Sequence, residues 1–381
     1  MMTMMAGAIV GPSLPQIAKV FSNVPHSEIT TKLIVSGPAI FIAIFSPLAG
    51  YIIDRFGRIR LLQISLVLYS AGGCSGFYLE DLYAILIGRV VLGISVAGII
   101  TTVLTLIGDY FQGEDRNKYV GLQGAFMGIG GVTFVALAGV LADVNWHYPF
   151  LIYLYSLIVL VFVTIYVPEP DIKRISRKKG TKEVTPEYPR KLVFLIYMIV
   201  FFGLVFFFLY PIQIPYLLRS FKGVSNTMVG LAVSIATLAG SIISMNYAKI
   251  KRRFSFPFMY GITFFLMGIG YFLVSRAGNY WETITALLIS GSSTGFLMPT
   301  GNLWLISITP VEIRGRLIGR LSTASFLGQF VSPILVQPII SNYSIQTAFY
   351  VASLILLVLS LSLFIYCTTI RKQRRKNLLN Y

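Results

Sequence analysis

The residues best suited to charge-based chemistry lie in one short stretch of this chain. It reads Gly50-Tyr-Ile-Ile-Asp54-Arg55-Phe-Gly57-Arg58-Ile-Arg60. Asp54 directly follows a long apolar run, so it is poorly placed for the dipole of its own helix. The N-terminus of another helix, or an arginine, would stabilise it. Gly57 can adopt the positive φ that a tight turn between two helices often needs. The stretch therefore predicts either a charge contact of Asp54 with another helix or an arginine, or a hairpin turn whose arginines only set the membrane topology.

Arg89 is the one charged residue that we place well inside an apolar run. An unpaired cation in hydrocarbon costs at least about 2.5–3.5 kcal/mol, so its side chain should face a water-filled cavity or a partner. The alternative is that it reaches back to the membrane surface, roughly 9 Å away at about 1.5 Å per residue. None of the 14 acidic residues lies in the middle of an apolar run. A cavity that contains Arg89 and no carboxylate would favour an anionic or neutral polar substrate.

Uncharged polar side chains within the apolar runs are further candidates for lining a substrate path. They are Gln123, Gln213, Asn246, Asn302 and Gln329. In a membrane-embedded bundle, such side chains form hydrogen bonds between helices equally well. The sequence leaves both roles open.

Motifs for catalysis, metals or cofactors are absent from the sequence. The histidines are His26 and His147, and both cysteines, Cys74 and Cys367, lie in apolar runs. This spacing predicts neither a metal cluster nor a disulfide framework, and no nucleophile–base set accompanies it. We therefore expect no catalytic residue, no metal site and no cofactor. A polytopic membrane enzyme is the less favoured alternative to a transporter.

Membrane-spanning helices must position these residues. Hydrophobic residues make up 56% of the 381, charged residues make up 12%, and the mean hydropathy is +0.77. A soluble domain carries about 25% charged residues. Runs long enough to cross a bilayer, about 20 residues each, recur along the chain. We place twelve of them at 1–20, 33–53, 61–79, 83–108, 119–142, 150–167, 192–218, 228–248, 257–275, 281–306, 318–340 and 346–369. The chain is predicted to be an all-α polytopic membrane protein.

The net charge of +17 is distributed unevenly along these spans. Of the 31 lysines and arginines, 25 fall in the loops and termini on one side and five on the other. The positive-inside rule places the rich side, with both termini and the segment 168–191, in the cytoplasm. This predicts a multi-pass protein of the cytoplasmic (inner) membrane in contact with the lipid bilayer. It also argues against nucleic acid as a partner.

The chain contains an internal duplication. The motif after span 4, Glu114-x-Arg116-x-Lys118-x-x-Gly121, matches the motif after span 10, Glu312-x-Arg314-x-Arg316-x-x-Gly319. Spans 1 and 7 also share an ending, in which two prolines precede a basic residue and a phenylalanine. We infer two six-helix bundles, 1–167 and 192–370, joined by the linker 168–191 and followed by a basic tail, 371–381.

The charged stretch resembles motif A of the major facilitator superfamily, which lies between spans 2 and 3. The segment Arg89-x-x-x-Gly93 in span 4 resembles motif B, whereas the glycines of span 5 match motif C only in part because its Gly-Pro pair is missing. The resemblance covers nearly the whole chain and implies two six-helix bundles. It implies cavity or coupling roles for Arg89 and Gly93. It implies gating roles for Gly50, Asp54, Arg55, Gly57, Arg58 and Asp109.

The resemblance also implies partners for the gating charges on the cytoplasmic side. Asp54 is expected to approach the N-terminus of span 11 near 316–319, and Arg58 is expected to pair with Asp109 at the end of span 4. Such contacts would hold the cytoplasmic side closed while the other side is open.

The activity implied by the resemblance is secondary transport of a small organic molecule by alternating access. The start of span 1 is similar to the drug-efflux branch, which implies a monomeric multidrug exporter driven by protons. Export of an anionic metabolite, such as a carboxylate siderophore, is the alternative. It is favoured by the isolation of Arg89 among spans that contain no acid in their middle.

Overall fold

The structure, a computed structural model, describes residues 2–111, 113–170 and 187–379. The description includes the backbone but not the side chains at 3–5, 54–56, 113–114, 116–118, 120–121, 124–125, 311–312, 314–315 and 370–379. Most of the predicted linker, 171–186, lies outside the described residues.

Helices make up nearly all of the described chain, in which there is no strand. In chain order they are α1 (Met2–Ala8), α2 (Leu14–Val20), α3 (Ser27–Phe56), α4 (Arg58–Gly73), α5 (Ser75–Tyr78), α6 (Leu82–Tyr110), α7 (Gly113–Val144), α8 (Tyr155–Tyr166), α9 (Arg190–Phe207), α10 (Leu209–Ser220), α11 (Asn226–Lys251), α12 (Phe256–Arg276), α13 (Tyr280–Ile308), α14 (Val311–Asn342) and α15 (Ile345–Leu379). Two 3₁₀ segments, Gly11–Ser13 and Tyr148–Leu154, precede α2 and α8. The predicted all-α fold is confirmed.

Nine helical stretches in the described chain are long and apolar enough to cross a membrane by themselves. The other three predicted spans correspond to α1 with α2, to α4 with α5, and to α13. The first is interrupted at Gly11–Ser13, which contains a proline, and α4 has only 16 residues. The third, α13, has 29 residues but carries several serines and threonines. The architecture is therefore consistent with the predicted twelve crossings.

Local sequence signals set several helix ends. Asp81 and Ser225 each accept a hydrogen bond from a backbone N–H in the first turn of the helix that follows, α6 and α11 respectively. Such capping satisfies N–H groups that have no partner within the helix. Gly57 separates α3 from α4 with φ of +94°. The positive-φ turn predicted at this glycine is confirmed.

The helices pack around two hydrophobic cores. One core is built almost entirely from α1–α8, and Tyr69 and Tyr153 are among its fully buried side chains. The other is built almost entirely from α9–α15, and Tyr260 and Phe349 are among its buried members. We call α1–α8 the N-terminal bundle and α9–α15 the C-terminal bundle. They meet mainly where α3 packs on α14 and where α7 packs on α11.

The two ends of the bundles are named after the predicted topology. The outer face carries the connections from α2 to α3, from α7 to α8 and from α10 to α11. The inner face carries Gly57, the end of α8 and the start of α14. These names define positions in the fold, and the orientation in the cell remains a prediction.

Candidate functional site

The two bundles touch closely near the outer ends of α7 and α11. A Cβ atom built on Gly139 would lie 2.6 Å from the carbonyl oxygen of Asn226. One built on Gly230 would lie 2.8 Å from the carbonyl oxygen of Val135. Real Cβ atoms essentially never come this close, so glycine is needed on both helices for the backbones to approach. The glycines of span 5 therefore include one that closes the outer face.

Asp143, at the end of α7, reinforces this contact with its carboxylate. One oxygen accepts a hydrogen bond from the backbone N–H of Asn226 at 2.6 Å. The other accepts from the N–H of Thr227 at 2.9 Å and from its hydroxyl at 2.5 Å. These N–H groups belong to the first turn of α11, where the helix dipole favours an anion. A carboxylate of the N-terminal bundle thus caps a helix of the C-terminal bundle.

A sequence signal for Asp143 exists, although motif reasoning missed it. The residues Leu137-Ala138-Gly139-x-x-x-Asp143 repeat the order of Leu48-Ala49-Gly50-x-x-x-Asp54. Asp54 lies near the inner end of α3 and Asp143 near the outer end of α7. The repeat therefore places the same residues at opposite faces of the bundle, as expected for inverted structural repeats in transporters.

A second outer contact joins α3 to α14 through Gln337. The side chain of Lys32 donates to the Oε1 atom of Gln337 at 2.6 Å. The Nε2 atom of the same glutamine donates to the carboxylate of Glu28 at 2.8 Å. Lys32 is only 4% exposed, and its Nζ lies 5.2 Å from the centroid of the Tyr216 ring in α10. Sequence reasoning assigned Lys32 and Glu28 only to the outer loop and missed this bridge.

The inner halves of these helices do not close in the same way. A Cβ built on Gly50 of α3, or on Gly319 of α14, would find no other described heavy atom within 4 Å beyond its own local helix. Met245, which replaces the motif A glycine in the duplicated half, is 82% exposed on α11. Among the described residues, the bundles are joined at the outer face, and Gly50 and Gly319 have no comparable close neighbour at the inner face.

Arg58 and Asp109 form the ion pair that the sequence predicts. The Nε atom of Arg58 lies 3.0 Å from the Oδ2 atom of Asp109, and both side chains are largely buried. The pair joins the start of α4 to the end of α6 within the N-terminal bundle. Its contribution to gating stays a prediction.

Glu169 completes this inner cluster, although the sequence placed it simply in the linker. Its carboxylate accepts from the backbone N–H of Arg58 at 2.6 Å and from that of Ile59 at 2.7 Å. It caps the N-terminus of α4 directly after the turn at Gly57, where the dipole stabilises an anion. A Cβ built on Gly57 would lie 3.1 Å from this carboxylate. The turn thus needs glycine for its φ, and any side chain there would also crowd the Glu169 carboxylate.

The remaining motif A side chains, Asp54 and Arg55, lie outside the described side chains. The backbone at Asp54 belongs to the last turn of α3. Its expected approach to the N-terminus of α14 therefore stays a prediction.

Arg89 is fully buried inside the N-terminal bundle, with 1% of its surface exposed. One Nη atom donates to the carbonyl oxygen of Gly73 at 3.1 Å. The guanidinium carbon lies 4.8 Å from the ring centroid of Phe150 and 5.2 Å from that of Tyr153. The Nε atom and the other Nη atom have no hydrogen-bond partner in the described part of the chain. The expectation that Arg89 lines an open central cavity is wrong for this conformation, because rings of its own bundle enclose the cation.

Gly93 also serves packing in this structure rather than a cavity. A Cβ built on it would lie 2.5 Å from the carbonyl oxygen of Pro38 and 2.8 Å from the Cβ of Phe41. Gly93 therefore allows α6 to approach α3 inside the N-terminal bundle. The cavity role implied by motif B does not fit this position.

The five polar candidates are not brought together into one site. Gln329 is half-buried, and its Nε2 atom would lie 3.5 Å from a Cβ built on Gly7 of the other bundle, so it faces the bundle interface. Gln123 lines a cavity of about 200 Å³ within the N-terminal bundle. Asn302 is half-buried in α13, and Asn246 is exposed and donates to a carbonyl of its own helix.

Gln213 is an exception among these candidates because it is enclosed. It is 1% exposed, and neither atom of its amide group has a hydrogen-bond partner among the described residues. It lines no open space in this conformation, contrary to its predicted place on a substrate path.

The family model described as Major Facilitator Superfamily matches residues 1–254 and 195–380. A bacillibactin exporter of Bacillus subtilis is 26% identical over 395 residues, which cover 96% of this chain and 94% of that protein. A cis,cis-muconate transport protein of Acinetobacter baylyi is 26% identical, covering 79% and 76%. The quinolone resistance protein NorB of Staphylococcus aureus is 28% identical over a shorter region, covering 44% and 36%.

Solved structures share the fold at low sequence identity. The xylose transporter XylE of E. coli in an inward open conformation has a TM-score of 0.74 at 15% identity, with 95% of this chain and 94% of that chain covered. A bacterial homolog of the lysosomal transporter Spinster, inward-facing and occupied, has a TM-score of 0.72 at 13% identity, with 97% and 95% covered. At this identity, the likeness concerns the fold.

Proposed function

Because the chain belongs to the major facilitator superfamily and is a multi-pass membrane transporter of small molecules, we propose that it exports a small organic molecule driven by the proton gradient. Transport proceeds by alternating access between the two bundles, with 168–191 as the linker between 1–167 and 192–370. The two separate hydrophobic cores support this division into domains. The protein acts as a monomer in the cytoplasmic membrane, with both termini in the cytoplasm.

The observation that carries the proposal is the asymmetry between the two faces. Asp143 caps α11 at the closed outer face, whereas Gly50 and Gly319 have no described neighbour within 4 Å beyond their own local helix at the inner face. We interpret this asymmetry as an inward-facing state, which can load a substrate from the inner side. Breaking the Asp143 contact and forming the one expected for Asp54 would exchange the open and closed faces.

Protons are proposed as the coupling ion because carboxylates form the contacts that must exchange. Asp143 and Glu28 accept hydrogen bonds across the bundle interface at the outer face. Protonation would remove the negative charge that makes each of them a strong acceptor. Proton entry from the outside would in this way favour opening of the outer face.

Export of an anionic metabolite is the second candidate function. A bacillibactin exporter and a muconate transport protein are two relatives that match most of this chain. Muconate is a dicarboxylate. The predicted spans have no acidic residue in their middle that would repel such an anion. No motif for enzymatic catalysis was found in the sequence, and we propose no enzymatic activity.

Uptake into inverted membrane vesicles tests both candidates. Vesicles from cells with and without the protein are energised to acidify their lumen and are then offered radiolabelled cis,cis-muconate and a fluoroquinolone. Export in the cell appears as protein-dependent accumulation that a protonophore abolishes. Accumulation of neither compound class in energised vesicles, together with uptake by intact cells, would instead indicate an importer.

A further inference from the structure

A cavity of about 530 Å³ opens at the outer face between the two bundles. Its walls come from α2 and α3 of the N-terminal bundle and from α10, α14 and α15 of the C-terminal bundle. This volume is within the range of small-molecule sites, about 300–1,000 Å³. Lys32, whose bond to Gln337 joins the two bundles at the outer face, is part of the cavity wall.

The cavity walls carry an excess of positive charge. Three cations line it, Lys19, Lys32 and Arg219, against one anion, Glu28. The net charge of its wall is therefore +2, by subtraction of one from three. Arg219 is held in place because its guanidinium donates to the carbonyl oxygen of Val224. Polar groups of Gln16, Ser22, Ser27, Tyr216 and Ser220 also line the cavity.

Lys32 is the cation best placed to recognise a ligand in this cavity. It is 4% exposed, and a buried ammonium group must be compensated by strong acceptors. Its hydrogen-bond acceptor is the neutral amide oxygen of Gln337 at 2.6 Å, while Tyr216 offers a ring face at 5.2 Å. Glu28, four residues away on the same helix, bonds to Gln337 rather than directly to Lys32.

The bridge through Gln337 is replaceable by an anion. An ionised carboxylate is a stronger acceptor for an ammonium group than an amide oxygen is. Gln337 belongs to the C-terminal bundle and Lys32 to the N-terminal bundle, so replacing this bond would remove one contact that holds the outer face closed. We propose that the cavity is an exit site for carboxylate substrates, in which the substrate carboxylate displaces Gln337 from Lys32 while Arg219 holds its second anionic group.

This site deepens the proposed function, since it defines the substrate as a small organic anion and couples its binding to opening of the outer face. A ligand shifts a conformational equilibrium only through its differential affinity for the two states. Here the difference arises because Lys32 is occupied by Gln337 when the outer face is closed and is free for the substrate when that face opens. In this proposal, Lys32 and Arg219 recognise the anionic substrate, a role that the sequence had suggested for Arg89.

Calorimetric titration of the purified full-length protein in phosphatidylcholine nanodiscs tests the site. The probes are cis,cis-muconate and its uncharged dimethyl ester. We expect the dianion to bind and the ester not to bind. Lys32→Gln and Arg219→Gln should each weaken muconate binding by about tenfold or more, as expected for a lost charge-assisted hydrogen bond. Lys222→Gln is the matched control. Lys222 is exposed on the outer connection between α10 and α11, near Arg219 in the sequence, and it does not line the cavity.

Gln337→Ala distinguishes recognition from a purely structural role. Removing the competing amide should tighten muconate binding, whereas a role of Lys32 in folding predicts weaker binding. Lys32→Arg keeps the positive charge. It should retain muconate binding if the loss of binding in Lys32→Gln is caused by the lost charge rather than by misfolding. Equal binding by wild type and Lys32→Gln, or equal binding of the acid and its ester, would overturn the proposal.

A lipid headgroup is the other source of an anion at this face. The titration is therefore repeated in nanodiscs that contain phosphatidylglycerol. Unchanged muconate binding supports the exit site, and its loss would assign the cavity to lipid and overturn the proposal. Failure of the site remains separable from failure of the proposed function. Proton-driven fluoroquinolone accumulation by the wild-type protein, together with no muconate binding by that protein in nanodiscs, would reject the site and retain export.

Discussion

The carboxylate of Asp143 accepts a hydrogen bond from the backbone N–H of Thr227, so the end of a helix in one bundle caps the start of a helix in the other. The two residues are 84 positions apart in the chain. The contact lies at the closed outer face and has an expected counterpart at the inner face in Asp54. We propose that these two contacts form in alternation, which would give a simple physical basis for switching between two states.

Asp143→Asn is expected to shift the protein toward the outward-facing state. The substitution removes the negative charge from the N-terminus of α11, an effect of about 1–2 kcal/mol, or roughly 5–30-fold in the ratio of the two states. Spin labels on cysteines at Val144 and Tyr343, exposed outer positions of the two bundles, should report longer distances. Both native cysteines are buried, which limits background labelling.

Asp81→Asn provides the matched control for Asp143→Asn. Asp81 also caps a helix at the outer face, but its partner is the N–H of Ala84 in the same bundle. Asp81→Asn should therefore leave the distance between the labels at Val144 and Tyr343 unchanged. If both substitutions lengthen this distance equally, the outer contact is not specific to Asp143.

Asp54→Asn is expected to act in the opposite direction. It should weaken the outward-facing state and slow transport, because that state would lose the contact of Asp54 with the N-terminus of α14. The same pair of labels, measured in the double substitution with Asp143→Asn, should return toward the wild-type distance distribution. Wild-type transport rates in Asp54→Asn vesicles would refute the inner contact.

Gly93→Ala is expected to lower stability by about 1–3 kcal/mol, since an added methyl group would overpack the contact between α6 and α3. A Cβ there would meet the carbonyl oxygen of Pro38 at 2.5 Å, whereas a Cβ at Gly37 would meet nothing described within 4 Å. The midpoint temperature of thermal unfolding in detergent should therefore be lower for Gly93→Ala than for the wild type, and unchanged for Gly37→Ala. A tolerated Gly93→Ala would restore the cavity role implied by motif B.

Glu169→Gln is expected to loosen the start of α4 by about 0.3–1 kcal/mol, because the neutral amide interacts less with the helix dipole. Hydrogen exchange of the backbone amides of Arg58 and Ile59 should become faster, since both now donate to the carboxylate. Glu187→Gln, an exposed acid near the start of α9, is the control. Equal exchange in both variants would argue against the cap.

The predicted orientation is tested by a cysteine at Lys178 in the basic linker. In intact cells it should react with membrane-permeant thiol reagents and resist impermeant ones, because 25 of the 31 basic residues lie on that side. Labelling by the impermeant reagent would place the linker outside and reverse the assignment of both faces.

The all-α membrane fold and the positive-φ turn at Gly57 are predictable from the sequence, because hydropathy, charge distribution and glycine position are local properties. The pairing of Arg58 with Asp109 was instead implied by the family resemblance, since Asp109 lies outside the motif and 51 residues further along the chain. The family resemblance and its transport activity followed from the same motif.

The contacts of Arg89, Lys32 and Asp143 are set by the packing of segments that lie far apart in the chain. Arg89 was expected at a cavity, but the rings that enclose it come from a 3₁₀ segment far along the chain. Lys32 reaches a glutamine 305 residues away, and Asp143 reaches a helix start 83 residues away. The contacts of Lys32 and Asp143 depend on how the two bundles face each other in one state of the transport cycle, whereas those of Arg89 depend on packing within one bundle. A local pattern of residue types carries no information about that choice, because the same sequence must also adopt the opposite state.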